Sequence, residues 1–425
     1  MSAATTSRRL SHVWPTHSAL DERGVLQVGG CDALELAREF GTPAYVVAQD
    51  DLRERARAFR DAFAARHPGR SEIFFASKAF PCTAVLRILR EEGLGCDVAS
   101  SGELHLALRA GFAPERILLH GNAKSAAELA MAIDVGIGLV VLDGMNDLER
   151  TEALAHERGV RQRVLLRVTP GVRGDTHDKI STGQADSKFG LSLADTRRAI
   201  DRLAGSEALQ LDGLHLHIGS QILDLEPFRA AIAMLHGLGD DLPVIDVGGG
   251  LGVAYTAAHQ VPSVEDYVDA KVGAVEEHLG EGKVILDEPG RALTANAGMT
   301  LYTVQTVKRN VSRWVAVDGG MADNLRPMLY GAPYEAEVVG RHGGETACRL
   351  AGKHCESGDV LVHDAHLADP RPGDVIAMPA TGAYGHAMSN TYNGVPRPPV
   401  ILCRDGDARV AVRRETLDDL LARDA

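Results

Sequence analysis

Residues 73–80 read Ile-Phe-Phe-Ala-Ser-Lys-Ala-Phe, an apolar, strand-like run that ends on Lys78. An ammonium at the end of a buried strand is costly unless it is paired or neutralised, and no carboxylate stands beside this one in the chain. Taken alone, such a lysine would snorkel to solvent. The run is not alone. It is the first of eight, the others being LGCDV (94–98), RILLH (116–120), GLVVL (138–142), VLLRV (164–168), GLHLH (213–217), VIDV (244–247) and VILD (284–287). Amphipathic stretches with apolar residues at helical spacing, such as TAVLRILREEG and SGELHLALRAG, lie between most of them. Eight strand–helix units over roughly 250 residues predict a (β/α)8 TIM-type barrel, with a doubly wound open sheet as the competing α/β reading.

Most of the runs lead straight into polar or glycine-rich residues: Ser77-Lys78, Ala99-Ser100-Ser101, Gly121-Asn122, Asp143-Gly144, Thr169-Pro170-Gly171, Ile218-Gly219-Ser220, Gly248-Gly249-Gly250 and Glu288-Pro289-Gly290-Arg291. In a barrel these ends converge on one face, where such enzymes place their active sites. Lys78 then lies on the rim of a shared pocket. After about residue 296 the texture changes to short β-branched runs (LYTVQTV, RWVAVDGG, EAEVVG, DVLVHD, DVIAMP, PVILC, RVAVRR) parted by Gly, Pro or Asp. These predict an all-β domain of Greek-key or sandwich-like form. The expected organisation is residues 50–295 as the barrel, 296–425 as the β domain, and 1–49, including GVLQVGG, joining the latter.

At 425 residues the chain exceeds one ordinary core. A net charge of -13 argues against a nucleic-acid surface. The six cysteines show no CxxC pair or regular framework, which suits reduced thiols in a cytoplasmic protein. The opening MSAATTSRRLSHVWP has no apolar core of a secretory signal, and AIDVGIGLVVLDG is too short and too polar to span a bilayer.

Several residues invite chemistry. Asp246–Val253, DVGGGLGV, fails the dinucleotide fingerprint because Val253 stands where a third glycine is needed. Three glycines after a strand can still present backbone N–H groups to a phosphate, and Gly219-Ser220 and Gly290-Arg291 offer further elements on the last strands. His215 and His217 share one face of their strand and could be core histidines, metal ligands or rings packed on a ligand. A metal set of His215, His217, Asp246 and Glu288 is conceivable, yet spacing alone is weak support and no metal is expected. Glu288 could be a general base, hold a protonated heterocycle nitrogen, or pair with Arg291. Cys355 is either an inert buried thiol or a reactive one; adjacent His354 would point the other way on an extended strand. The long loop TGAYGHAMSNTYNGVPRPP carries Tyr384.

FFASKAF, GCDVASSGEL, LHGNAKS, STGQADSKFGL, GLHLHIGSQI, DVGGGLGV, EPGRA, VDGGMADNLRPMLYGA, KHCESGDV and TGAYGHAMSNTYN together resemble the diaminopimelate decarboxylase family. These are fold-type III pyridoxal-phosphate enzymes related to ornithine decarboxylase and alanine racemase. The resemblance implies that Lys78 attaches pyridoxal 5'-phosphate, as a desolvated lysine of lowered pKa could. It implies that His217 stacks on the cofactor, that Gly248, Gly249, Gly250 and Ser220 cradle its phosphate, and that Glu288 meets its ring nitrogen. Asp97, Pro289, Gly290, Arg291 and Tyr384 complete the cofactor set. Arg291, Arg326, Tyr330, Glu356 and Tyr384 match substrate-holding positions, and Cys355 matches a proton donor. His217 and Lys78 join Cys355 as the catalytic positions. The implied activity is decarboxylation of meso-2,6-diaminopimelate to L-lysine and carbon dioxide, the last step of bacterial lysine biosynthesis. The implied assembly is a homodimer whose sites are completed by Cys355 and Glu356 of the neighbouring subunit, with neither nucleic acid nor membrane as partner. Ala123 departs from the second asparagine of many relatives, and the stretch around Tyr384 varies. A sister decarboxylase acting on ornithine, a polyamine precursor or a carrier-bound amino acid, and a non-catalytic relative, are the competing functions; retention of Lys78, Glu288 and Cys355 speaks against the latter.

Overall fold

The computed structural model describes residues 10–67, 71–171 and 187–425. The motif beginning at Ser181 therefore lies outside the described residues up to position 186. The chain forms two compact units, one of residues Arg53–Gly252 with Val261–Leu293, the other of Met1–Leu52, Val253–Gln260 and Thr294–Ala425.

In the first unit eight parallel strands close into a barrel in chain order. They are β1 (Ser71–Ala76), β2 (Gly95–Val98), β3 (Ile117–Leu119), β4 (Leu139–Leu142), β5 (Gln162–Val168), β6 (Leu209–Leu216), β7 (Val244–Asp246) and β8 (Val284–Asp287). β8 pairs with β1, which closes the ring and excludes the open doubly wound sheet. All eight apolar runs are barrel strands. They were readable because a strand covered on both faces is a continuous apolar run. Phe74, Leu118, Leu139, Val141, Leu165, Val244 and Leu286 form one buried cluster drawn from β1, β3, β4, β5, β7 and β8. Strands on opposite sides of a ring can share a cluster only through its interior, so these residues fill the lumen.

Four of the turns from strand to helix share one device. Ser100, Ser125, Ser192 and Ser263 each accept a hydrogen bond from the backbone N–H three residues on, at Glu103, Glu128, Asp195 and Asp266. Each cap satisfies an orphan donor and places an acid in the first turn, where the helix dipole favours it. The helices therefore begin at defined residues, and the loops before them hold their shape.

The second unit is mostly rather than wholly β. A nine-stranded sheet is joined by short helices such as Ala33–Phe40, Arg326–Tyr330 and Gly385–Met388. The opening segment does enter this sheet, but by a different stretch from GVLQVGG. Leu26–Val28 pairs only within a small three-stranded sheet, with Ser18–Leu20 and Cys31–Asp32. The wholly buried Ala44–Ala48 instead lies between Gly298–Arg309 and Val400–Arg404. An interior strand needs an unbroken apolar run, which AYVVA supplies and LQV does not. Among the described residues no helix is long and apolar enough to cross a membrane.

Candidate active site

β1 runs into a single 3-10 turn, Ser77–Ala79, that lifts Lys78 out of the sheet. Its carboxylate partner comes from the next strand: Asp97 pairs with Ala76 in register, and Lys78 Nζ donates to Asp97 Oδ2 at 2.9 Å. Asp97 is 1% exposed, whereas the Lys78 side chain is 47% exposed. The lysine is thus paired and half open to solvent, not desolvated as its sequence context suggested. The β8 loop backs this turn, since Ala76 N–H donates to the Pro289 carbonyl and a Cβ on Gly290 would lie 3.0 Å from that of Ala76. Glycine is needed there to let the two loops touch.

Glu288, just past β8, is buried in a cluster with His120, His215 and Asp246. His120 Nε2 lies 2.5 Å from its Oε1, and His215 Nε2 lies 3.4 Å from its Oε2. Burial alone would raise the Glu288 pKa, but attraction to His120 and His215 and the hydrogen bond with His120 hold it well below the usual carboxylate range. Asp246 is pushed the other way by burial and by the neighbouring Glu288 charge. The two carboxylates are thus driven apart, Glu288 toward the charged form and Asp246 toward the neutral one. Burial brings His215 down to about 3, so it is a neutral ring at pH 7. His217 is likewise held neutral, by burial first and then by the cations Arg167 and Lys78. His120, His215, Asp246 and Glu288 offer donor atoms within 4.8 Å of one another, so the acid-and-histidine cluster centres on His120 rather than His217. Glu288 is engaged by histidines; Arg291 instead donates to Ser220 Oγ, at 2.9 Å from Nη2.

After β7 the glycine run is pressed between the ends of β6 and β8. A Cβ would lie 2.4 Å from the Leu216 carbonyl oxygen at Gly248, 2.1 Å from that of Glu288 at Gly249, and 2.6 Å from that of Gly219 at Gly250. Gly248 and Gly250 also have φ of 58° and 119°, which L side chains rarely adopt. The turn is fastened from behind by Lys271, which is fully buried. Its Nζ donates to the Gly248 carbonyl at 2.8 Å and to Asp287 Oδ1 at 2.7 Å.

In the β unit, Cys355 is exposed while Cys31, Cys82, Cys96, Cys348 and Cys403 are buried. It is not an inert core thiol. Its loop, which also exposes Glu356, is pinned by Asp359, whose carboxylate accepts from His354 N–H at 2.9 Å and Met321 N–H at 2.7 Å. Cys355 N–H donates to Asn393 Oδ1, tying that loop to the long segment carrying Tyr384. Tyr384 holds a left-handed φ of 63°, a conformation that costs a non-glycine residue on the order of 1 kcal/mol. Tyr330 is half-buried at the end of a short helix. Arg326, at the start of that helix, is 3% exposed, with its guanidinium 4.4 Å from the centre of the Tyr255 ring and bonded to the Tyr334 hydroxyl. Its Nε has no hydrogen-bond partner among the described residues, leaving a donor for a further group.

The barrel end therefore offers an amine, an ionised carboxylate, and a glycine turn beside a serine and an arginine. This donor set fits a phosphorylated pyridine aldehyde, whose anionic, basic and electrophilic parts each find a counterpart. Residues 49–295 match the family model described as the pyridoxal binding domain of pyridoxal-dependent decarboxylases. The chain is 43% identical to the diaminopimelate decarboxylase of Mycobacterium tuberculosis, over 97% of either chain. It is also 43% identical to that of Bacillus subtilis, over 96% of this chain and 97% of the relative. The chain belongs to the diaminopimelate decarboxylase family. Solved structures agree with that membership. The M. jannaschii diaminopimelate decarboxylase in complex with L-lysine superposes with a TM-score of 0.90 at 32% identity, covering 97% of this chain and 98% of that one. The Helicobacter pylori diaminopimelate decarboxylase, also complexed with L-lysine, gives 0.84 at 34%, covering 92% and 98%. As a family member the chain is a pyridoxal-phosphate-dependent lyase.

Sequence reading singled out the glycine turn, Lys78 and Glu288, but not the groups packed around them. It gave no role to His120, at the end of an apolar run, or to Lys271, inside a helix. The signal for His120 was its place at the end of a barrel strand, the criterion that singled out Lys78.

Proposed function

We propose that this protein decarboxylates meso-2,6-diaminopimelate to L-lysine and carbon dioxide, working as a homodimer in the cytoplasm. The observation that carries the reading is the buried, ionised Glu288 set among histidines in a barrel end that also holds Lys78. Residues 50–295 are taken as the cofactor-binding domain and 1–49 with 296–425 as its β partner.

When bound, pyridoxal phosphate supplies an electron sink for the bond that breaks between the substrate's α-carbon and its carboxylate. Lys78 Nζ is the amine that holds the cofactor, and Asp97 orients it. Glu288 keeps a proton on the ring nitrogen; an ionised carboxylate can do so where a neutral one cannot. His217, a neutral ring, packs on the cofactor face without competing for charge. Gly248, Gly249, Gly250, Ser220 and Arg291 take the phosphate, with Asp97, Pro289 and Gly290 lining the same loops. Arg326, Tyr330, Arg291 and Tyr384 hold the substrate, and Glu356 reads its distal ammonium. Cys355 Sγ–H returns a proton to the carbon that has lost its carboxylate, acting in the neighbouring subunit's site. Exposure of Cys355 and Glu356 supports that role, since a thiol serving a partner must project from its own chain.

The test is carbon dioxide release from meso-diaminopimelate, its L,L isomer, lysine and ornithine. Turnover confined to the meso isomer is expected. Faster release from lysine or ornithine would replace this reading with a sister decarboxylase.

A further inference from the structure

His120 follows β3 directly and is anchored by its own backbone N–H, which donates to the Val98 carbonyl at 2.8 Å. The side chain is buried, and its ring meets that of His215 edge-on with centroids 4.8 Å apart. This packing gives the ring one direction. Nε2 then lies between two carboxylates, 2.5 Å from Glu288 Oε1 and 3.7 Å from Asp97 Oδ1. Only the first distance is a hydrogen bond. An ionised carboxylate can only accept, so Nε2 carries the hydrogen. Asp97 turns its other oxygen to Lys78. His120 therefore stands between Glu288 and the aspartate that pairs with Lys78.

We infer that His120 is a positioning residue that spends its Nε2–H on Glu288 so that the proton shared between Glu288 and the cofactor's ring nitrogen stays on the nitrogen. The inference rests on the reading of Glu288 given above. A carboxylate that accepts a charge-assisted hydrogen bond has a lower affinity for a second proton. Remove that donor, and the shared proton moves onto Glu288. The ring then withdraws electrons less well. A ring that only filled space would leave the proton where it was.

The experiment uses enzyme reconstituted with pyridoxal phosphate carrying nitrogen-15 in the ring, read by the nitrogen chemical shift and by the cofactor dissociation constant. Wild type and His120→Gln, whose amide can donate from the position of Nε2, should both show a protonated ring nitrogen. His120→Leu should move the shift toward neutral pyridine and weaken cofactor binding about tenfold or more, the scale of one hydrogen bond to a charged group. A wild-type shift in His120→Leu overturns the inference. Glu288→Gln separates the two claims. If it leaves the nitrogen protonated, the reading of Glu288 fails; if it alone deprotonates the nitrogen, only the role of His120 fails. Should His120→Leu not fold, histidine-labelled wild type decides, with the His120 signal assigned through His120→Gln. Hydrogen on Nε2 supports the inference, and hydrogen absent from Nε2 overturns it.

Discussion

Lys78 and Asp97 are 19 residues apart in sequence yet share a hydrogen bond, because neighbouring parallel strands bring Ala76 and Asp97 into register. Lys78→Ala should abolish the visible absorbance of the bound cofactor and nearly all turnover. Retention of both would show that another amine holds the cofactor. Arg326→Ala should raise KM for diaminopimelate about tenfold or more, by stranding the substrate's second carboxylate, and should harm a substrate lacking it far less. Equal damage to both would reassign Arg326 to holding Tyr255 and Tyr334. Asp323 accepts hydrogen bonds from Gly320 N–H and the Tyr302 hydroxyl, and burial pushes its pKa up to about 7. The folded state therefore keeps a proton that the unfolded chain releases near pH 4. Stability from this group is complete below pH 4 and is lost as pH rises through 7. Between those limits the stability of wild type relative to Asp323→Asn should fall by on the order of 2–4 kcal/mol, and a pH-independent difference in denaturant titrations would contradict it.

The elements were legible to different degrees, for physical reasons. Barrel strands announce themselves because both faces are covered. Thr346–Ala351, TACRLA, escaped notice because it alternates weakly and carries a charged residue, with Cys348 and Leu350 its buried side chains. His120 and Glu288 lie 168 residues apart, so no local pattern could pair them. The glycine turn was legible as a motif, but its tolerance was not. Gly249→Ala would place a methyl 2.1 Å from the Glu288 carbonyl oxygen, so the turn must shift and cofactor affinity should fall at least tenfold. Gly205→Ala meets nothing within 4 Å and should bind cofactor as wild type does. A similar affinity in both variants would remove the turn from the phosphate site.

At the scale of the whole molecule, Lys78 belongs to the barrel unit and Cys355 to the β unit. In a two-fold dimer with shared sites, a Lys78→Ala chain beside a Cys355→Ala chain rebuilds one intact site and leaves one doubly defective. Random mixing makes half the dimers hybrid, so co-refolded mixtures should recover about a quarter of wild-type activity by this symmetry count. Activity no higher than the mean of the two mutants, with hybrids confirmed by mass spectrometry, would mean that each site is built from one chain. The lone exposed thiol also gives the enzyme a chemical address. A mild alkylating reagent should modify one sulfur per chain long before the five buried ones, which open only as the fold does. A label placed on this sulfur should therefore stop turnover as it attaches, because the same thiol is proposed to serve the neighbouring subunit's site. The same exposure makes that sulfur the first atom an oxidant would find.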